Sequence, residues 1–193
     1  MPSQPSAAAR LPRIVDASAL APPPVRRDTS RPVVLVGFIR QGNLGIGYLS
    51  AVLRGQGYKV LLVDVEDDPA DQVRRIVDAR PLLVGFSLIF QFYLPRFQQL
   101  MDALRDAGVT AHFTMGGHFA SLSPHRALEM LPALDSVVRF EGESTLLALA
   151  DRLSVEAPWQ AEQGISWRDD SGQVVDNPLR HLAHDMDDLP WPD

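Results

Sequence analysis

The sequence predicts an α/β domain built on a parallel sheet with helices on both faces, and three observations carry that expectation. Short apolar runs, rich in β-branched residues, recur between residues 32 and 153. Longer stretches with apolar residues at helical spacing separate them. Gly, Pro or Asp stands at nearly every junction. Runs that are apolar at consecutive positions suit strands covered on both sides, as a parallel sheet requires.

Residues 33–38, with three valines, read as the first buried strand. Residues 44–55 predict a helix, since Leu44, Tyr48, Leu49, Val52 and Leu53 share one face and Gly55 and Gly57 stop it. Residues 58–63 form the second strand, closed by Asp64. Residues 69–79 predict a helix with Val73, Ile76 and Val77 inward, and Pro81 breaks the chain after it. The third strand is 82–87. The amphipathic helix 94–107 turns Leu94, Phe97, Leu100, Met101 and Leu104 to the core and ends at Gly108. The fourth strand, 110–115, runs directly into Gly116-Gly117. A short helix at 124–131, a fifth strand at 136–140 and a last helix at 141–153 complete the series. The expected product is a Rossmann-like, doubly wound, five-stranded parallel sheet with right-handed crossovers.

The ends differ in character. Residues 1–31 are rich in Pro, Ala, Ser and Arg and are expected to be a disordered lead-in. Residues 164–168 and 173–176 flank Asp169-Asp170-Ser171-Gly172, which predicts a C-terminal β-hairpin. The acidic, Pro-bounded stretch 185–193 reads as a linker. The expected division is therefore 1–31, a ligand-binding domain at 32–155, and hairpin plus linker at 156–193.

Composition removes several function classes. The chain has 193 residues, 46% hydrophobic and 22% charged, with a net charge of −6. No block of Lys and Arg offers a phosphate backbone a partner, so no nucleic acid is expected. Nothing approaches the roughly 20 apolar residues of a membrane span, and the N-terminal segment lacks the apolar stretch of a secretory signal. A cytoplasmic location is expected. With no cysteine, the chain itself can form no disulfide and hold no thiolate metal site or iron–sulfur cluster.

In an open parallel sheet, ligands bind outside the carboxyl ends of the strands, near the reversal in strand order. Candidate binding residues are therefore Arg40, Gln41, Gly42, Asn43, Leu44 and Gly45 after the first strand, and Ser87, Leu88, Ile89 and Phe90 after the third. Gly116, Gly117, His118 and Phe119 follow the fourth, and Glu141, Gly142 and Glu143 the fifth. Each has a plainer reading. Gly116-Gly117 makes a tight turn, Ser87 and Asn43 cap helices, and acids suit a helix's first turn. Side-chain bulk at Gly116 or Gly117 is expected to obstruct a ligand more than it harms folding. No catalytic or metal-ligating residue is assigned: Ser87 lacks a G-x-S-x-G elbow, and no His has an evident Asp partner.

Residues 43–58 (NLGIGYLSAVLRGQGY), 84–88 (VGFSL), 115–118 (MGGH) and 135–143 (DSVVRFEGE), in that order, resemble the cobalamin-binding domain of cobalamin-dependent radical S-adenosylmethionine enzymes. The hairpin and the ending Leu189-Pro190-Trp191-Pro192-Asp193 fit the same family, so the resemblance spans 32–193. It implies a corrin ring across the strand carboxyl ends and a nucleotide tail in a groove near Ser87 and Gly116-Gly117. Two departures bear on chemistry. The loop after the first strand, Phe38-Ile39-Arg40-Gln41-Gly42-Asn43, lacks the D-x-H-x-x-G histidine that ligates cobalt in other cobalamin domains. The resemblance thus implies base-off cobalamin without an axial protein histidine, His112 lying within the fourth strand and His118 beside the groove. The absent cysteines imply that the 4Fe-4S cluster and S-adenosylmethionine belong to a catalytic barrel domain, in the same or a partner chain. Methyl transfer is the reaction the family most often performs; the substrate is not legible.

Two other readings stay open on the sequence. Gly45-x-Gly47-x-x-Ser50 with Asp64 imitates a nicotinamide-dinucleotide fingerprint, although it starts several residues late and ends in Ser. A non-catalytic interaction module would also fit the fold, but it leaves the small-residue loops at the strand ends unexplained.

Overall fold

The computed structural model describes residues 27–180 and 189–193. Most of the expected lead-in, and residues 181–188 of the expected linker, lie outside the described residues. The elements are β1 (Val33–Gly37), α1 (Leu44–Gly55), β2 (Val60–Asp64), α2 (Pro69–Ala79), β3 (Leu83–Ser87), a 3₁₀ turn (Gln91–Tyr93) and α3 (Leu94–Asp106). There follow β4 (His112–Gly116), α4 (His118–Leu122), α5 (Pro124–Met130), β5 (Ser136–Val138), α6 (Glu143–Ser154), β6 (Ile165–Arg168) and β7 (Val174–Asp176).

The helix starts follow from local chemistry. Asn43 Oδ1 accepts the Ile46 N–H at 3.2 Å and starts α1. Asp68 Oδ1 accepts the N–H groups of Ala70 and Asp71 at 3.0 and 3.1 Å, and Pro69 supplies a preset φ at the first position of α2.

The strand order is β2-β1-β3-β4-β5-β6-β7. The first five named strands run parallel, with the reversal of order between β1 and β3. β6 pairs antiparallel with β5, and β7 with β6. The sheet therefore has seven strands, not the expected five, and the hairpin is its continuation. Ile165 and Ser166 are buried. They face β5, whose outer edge would otherwise present unpaired backbone groups. Two local readings also differ. β5 ends at Val138, before Phe140, whose φ is 59°. Residues 118–122, read as loop, form the one-turn helix α4, which has no side-chain cap to announce it.

Alternation along the strands builds two unlike layers. On one face, under α2, α3 and α5, Val34, Val36, Phe38, Val84, Phe86, Phe113 and Met115 make a closed core with Ile76, Phe97, Met101 and Leu128. On the other, under α1 and α6, Val33, Leu35 and Leu83 pack with Ile46, Leu53, Leu146 and Leu149. This second face becomes thin toward the carboxyl ends of the strands, as described below.

Both ends of the described residues are tied down. Arg27, inside the expected lead-in, donates to both carboxylate oxygens of Asp151 at 2.6 and 3.0 Å. Tyr58 Oη donates to the same group at 2.9 Å, and its phenol is pushed up to about 12, chiefly by burial. Residues 192–193 lie against α1 rather than leading away from it. The Asp193 N–H donates to Gly47 O at 3.3 Å, its carboxylate accepts the Ser50 hydroxyl, and Arg54 Nε stands 2.8 Å away. A Cβ on Gly47 would lie 2.9 Å from Pro192, so the glycine admits this approach.

Candidate functional site

The register sets the residues of the α1/α6 face side by side. Leu35 lies opposite Gly85, Gly85 opposite Thr114, and Thr114 opposite Ser136. One layer nearer the carboxyl ends, Ser87 lies opposite Gly116. Gly37 belongs to this layer, its virtual Cβ lying 3.3 Å from Ser87 Cβ. The other face carries Phe113, Phe86 and Phe38 on successive levels of the sheet, Phe113 opposite Val84 and Phe86 opposite Val36, each in edge-to-face contact with a neighbouring ring. One face of the same strands is thus packed with rings and the other is floored with Gly, Ser and Thr.

Above that floor lies a cavity of about 150 Å³. Gly85, Ser87, Thr114, Gly116 and Gly117 form its base, Ile46, Leu49, Val138 and Leu146 its apolar walls, and Gly45, Phe140, Gly142 and Glu143 its mouth. It opens toward the carboxyl ends beside the reversal of strand order, where α/β sheets bind ligands. The glycines keep it open for different reasons. A Cβ on Gly116 would be accommodated, in ordinary van der Waals contact with Val138 O at 3.5 Å. A Cβ on Gly117 would lie 2.3 Å from Leu88 O, and Gly117 has a φ of 95°. The two glycines thus answer different demands: Gly116 leaves the cavity floor without a side chain, whereas Gly117 is required by the backbone of the neighbouring loop.

Six of the residues expected from the sequence line this cavity: Gly45, Ser87, Gly116, Gly117, Gly142 and Glu143. Gly42, Asn43 and Leu44 line a smaller adjoining cleft with Ile39, Gly47, Leu62 and Asp193. Arg40 and Gln41 turn to the β2–α2 loop. The Arg40 N–H donates to Asp64 at 2.8 Å, its guanidinium pairs with Asp67, and Gln41 Nε2 donates to Glu66 at 3.2 Å. Leu88 is fully buried in the opposite core, and its N–H donates to Gly116 O at 3.1 Å. Phe119 packs against that same core. Ile89 and Phe90 stand in the β3–α3 loop, Phe90 about half exposed, while His118 and Glu141 are exposed. Leu35, Ile46, Leu49, Gly85, Thr114, Val138, Phe140 and Leu146 were absent from the expected set. A glycine inside a strand marks a close approach. Reading every second residue upstream of Ser87 and Gly116 reaches Gly85 and Thr114.

His112 opens β4 at the far, amino end of the sheet. Its Nε2 lies 2.8 Å from Ser136 Oγ, and burial pushes its imidazole down to about 4. It is remote from the cavity mouth and neutral at ordinary pH. Asp64, the acid a dinucleotide reading needs for a ribose, is buried and accepts the N–H groups of Arg40 and Glu66 at 2.8 Å each. It is a structural clamp, and Gly45 and Gly47 lie inside α1 rather than in a phosphate-binding turn. Among the described residues no group of three or more His, Cys, Asp or Glu could hold a metal ion, and no helix is long and apolar enough to cross a membrane.

Comparison with known proteins bears on the same region. The B12 binding domain family matches residues 33–150. A cytidylyl-2-hydroxyethylphosphonate methyltransferase of Streptomyces wedmorensis is 31% identical, over 74% of this chain and 30% of its own length. An anaerobic magnesium-protoporphyrin IX monomethyl ester cyclase of Rubrivivax gelatinosus is 27% identical, over 74% of this chain and 27% of its own. Among solved structures, the cobalamin-dependent S-adenosylmethionine radical enzyme OxsB, with aqua-cobalamin and S-adenosylmethionine bound, superposes with a TM-score of 0.70 and 26% identity. That match covers 85% of this chain and 24% of OxsB. The radical S-adenosylmethionine methyltransferase TsrM from Kitasatospora setae, with cobalamin and a [4Fe-4S] cluster bound, has a TM-score of 0.68 at 21% identity, a likeness of fold. That match covers 84% of this chain and 31% of TsrM. The chain spans less than a third of the length of these relatives.

Proposed function

Since the chain belongs to the B12-binding domain family, we propose that it holds cobalamin base-off, with the nucleotide tail in the cavity under α1 and α6 and no protein imidazole on cobalt. The observation that carries this reading is the asymmetry of the sheet. Gly85, Ser87, Thr114 and Gly116 leave room on one face, while Phe113, Phe86, Met115 and Leu88 fill the other along the same stretch of β3 and β4. A flat, mostly apolar base suits a slot with a small-residue floor and aliphatic walls. The buried, unpartnered Nδ2 of Asn43 adds a donor at the adjoining cleft. It suits a carboxamide oxygen of the corrin periphery.

The corrin itself would lie across the strand carboxyl ends. The loop nearest the reversal of strand order, 38–43, contains no histidine, and Arg40 has no lone pair to give. Bound cobalamin supplies a cobalt centre that can carry and release a methyl group. This chain's contribution is to bind it, withhold a strong axial donor and shield the tail from water. The family relationship supports a radical S-adenosylmethionine barrel as the catalytic partner, in the same or another chain, with the 4Fe-4S cluster and S-adenosylmethionine held there. Methyl transfer is the reaction this assembly would perform.

The test is direct. Protein mixed with hydroxocobalamin and desalted should retain a visible cobalamin spectrum at near-stoichiometric level. A folded but colourless protein would refute the reading.

A further inference from the structure

Backbone strain and the cavity meet at one residue. Phe140 follows β5, lines the cavity with Val138 and Gly142, and is 55% exposed. Its φ of 59° lies in the left-handed region, which a bulky side chain rarely adopts and glycine adopts freely. Two other non-glycine residues among those described have positive φ, Arg80 and Glu156. Both are polar and lie just past helix ends, where such geometry is common. Phe140 is apolar, follows a strand and borders the cavity.

The surrounding fold imposes this conformation. The Phe140 N–H donates to the hydroxyl of buried Ser121 at 2.8 Å. The Arg139 N–H donates to Gly164 O at 2.9 Å, and its guanidinium donates to Asn177 O. None of these bonds needs a ring at position 140. The residue is more than half exposed, so burial returns little for a conformation that costs folding energy. A strained aromatic side chain that contributes little to the core, at the mouth of a slot, is placed for an external partner.

We propose that Phe140 contacts the ligand directly: its ring packs on the flat aromatic base of the nucleotide tail and closes it into the cavity. The proposal rests on the reading that the tail enters this cavity. It assigns to Phe140 a role in retaining the tail, separate from holding the corrin.

The experiment compares the unsubstituted protein with Phe140→Gly and Phe140→Tyr on two probes. Hydroxocobalamin carries the nucleotide tail, and diaquacobinamide lacks it. Phe140→Gly should raise the Kd for hydroxocobalamin at least tenfold and leave that for cobinamide within twofold. Its unliganded form should melt higher, by about 2–4 °C, because strain is relieved. Phe140→Tyr should bind both probes as the parent does. Unchanged hydroxocobalamin affinity in Phe140→Gly would overturn the proposal, as would an equal loss for both probes or a fall in melting temperature. If Gly116→Val also leaves the hydroxocobalamin affinity unchanged, the placement of the tail fails first, and this role with it.

Discussion

Gly116 and Gly117 are adjacent, yet the geometry assigns them opposite consequences. In Gly116→Val the new Cβ and its two methyl groups project into the cavity of about 150 Å³, with nothing nearer the Cβ than Val138 O at 3.5 Å. The backbone there is not left-handed, so the fold should lose no more than about 1 kcal/mol. A bound base would be displaced. Excluding roughly 100 Å² of apolar surface at about 25 cal/mol per Å² removes about 2.5 kcal/mol, or about 60-fold in Kd. In Gly117→Ala the Cβ would sit 2.3 Å from Leu88 O at a φ of 95°. That forces the β3–α3 loop to move and costs about 3 kcal/mol of stability, a fall of roughly 6–12 °C in Tm. Equilibrium binding of hydroxocobalamin read by visible absorption, with thermal unfolding of the unliganded variants, separates the two. If Gly116→Val binds within about threefold of the parent, the tail is not in this cavity. If it melts as low as Gly117→Ala, the distinction drawn between the glycines is wrong.

Other measurements bear on separate parts of the molecule. Electron paramagnetic resonance of the bound cobalt(II) form should lack nitrogen superhyperfine splitting from an axial ligand; splitting that disappears in His118→Ala would identify a ligand the loop sequence does not announce. His112, held neutral by burial with its pKa near 4 against an ordinary 6.5, refuses a proton that the unfolded chain accepts. Stability should therefore fall by about 3 kcal/mol as pH drops from 6.5 to 4 and level off below. Urea unfolding of His112→Gln should show a shallower acid decline, and an identical decline would exclude His112 as its source. Starting the chain at Arg31 removes the paired bonds of Arg27 to Asp151 and should cost about 1–2 kcal/mol, since a charged acceptor in a half-buried position loses a partner; an unchanged denaturation midpoint would show that Tyr58 and water suffice.

Much of the fold was legible because its signals are local. Apolar runs mark the parallel strands, and the helices at 44–55 and 69–79 are readable from the helical spacing of Leu49, Val52 and Leu53 and of Val73, Ile76 and Val77. What escaped depends on partners distant in the chain. Nothing within 164–176 says that β6 will pair with β5. Phe140 reads as strand until the bonds to Ser121 and Gly164 turn it. The site followed the same division. Ser87, Gly116 and Gly142 were visible as small residues at strand ends. Thr114 and Gly85 needed the alternation of their strands to be read in register. Arg40 and Gln41, charged and polar in a promising loop, are bound by acids of the β2–α2 loop, a pairing that only the order of β1 and β2 reveals.

The antiparallel hairpin also decides what the sheet presents to other chains. Without it, β5 would be a bare edge beside the cavity, open to pairing with a second copy. With it, the outer edge is β7, only Val174–Asp176. The Asp176 carboxylate accepts from Ser166 at 2.5 Å and lies 2.8 Å from His125 Nε2, and Pro178 follows without an N–H to offer. Short edges flanked by acid and proline resist strand addition. The sheet therefore ends, on the hairpin side, in an edge that a second chain cannot readily extend.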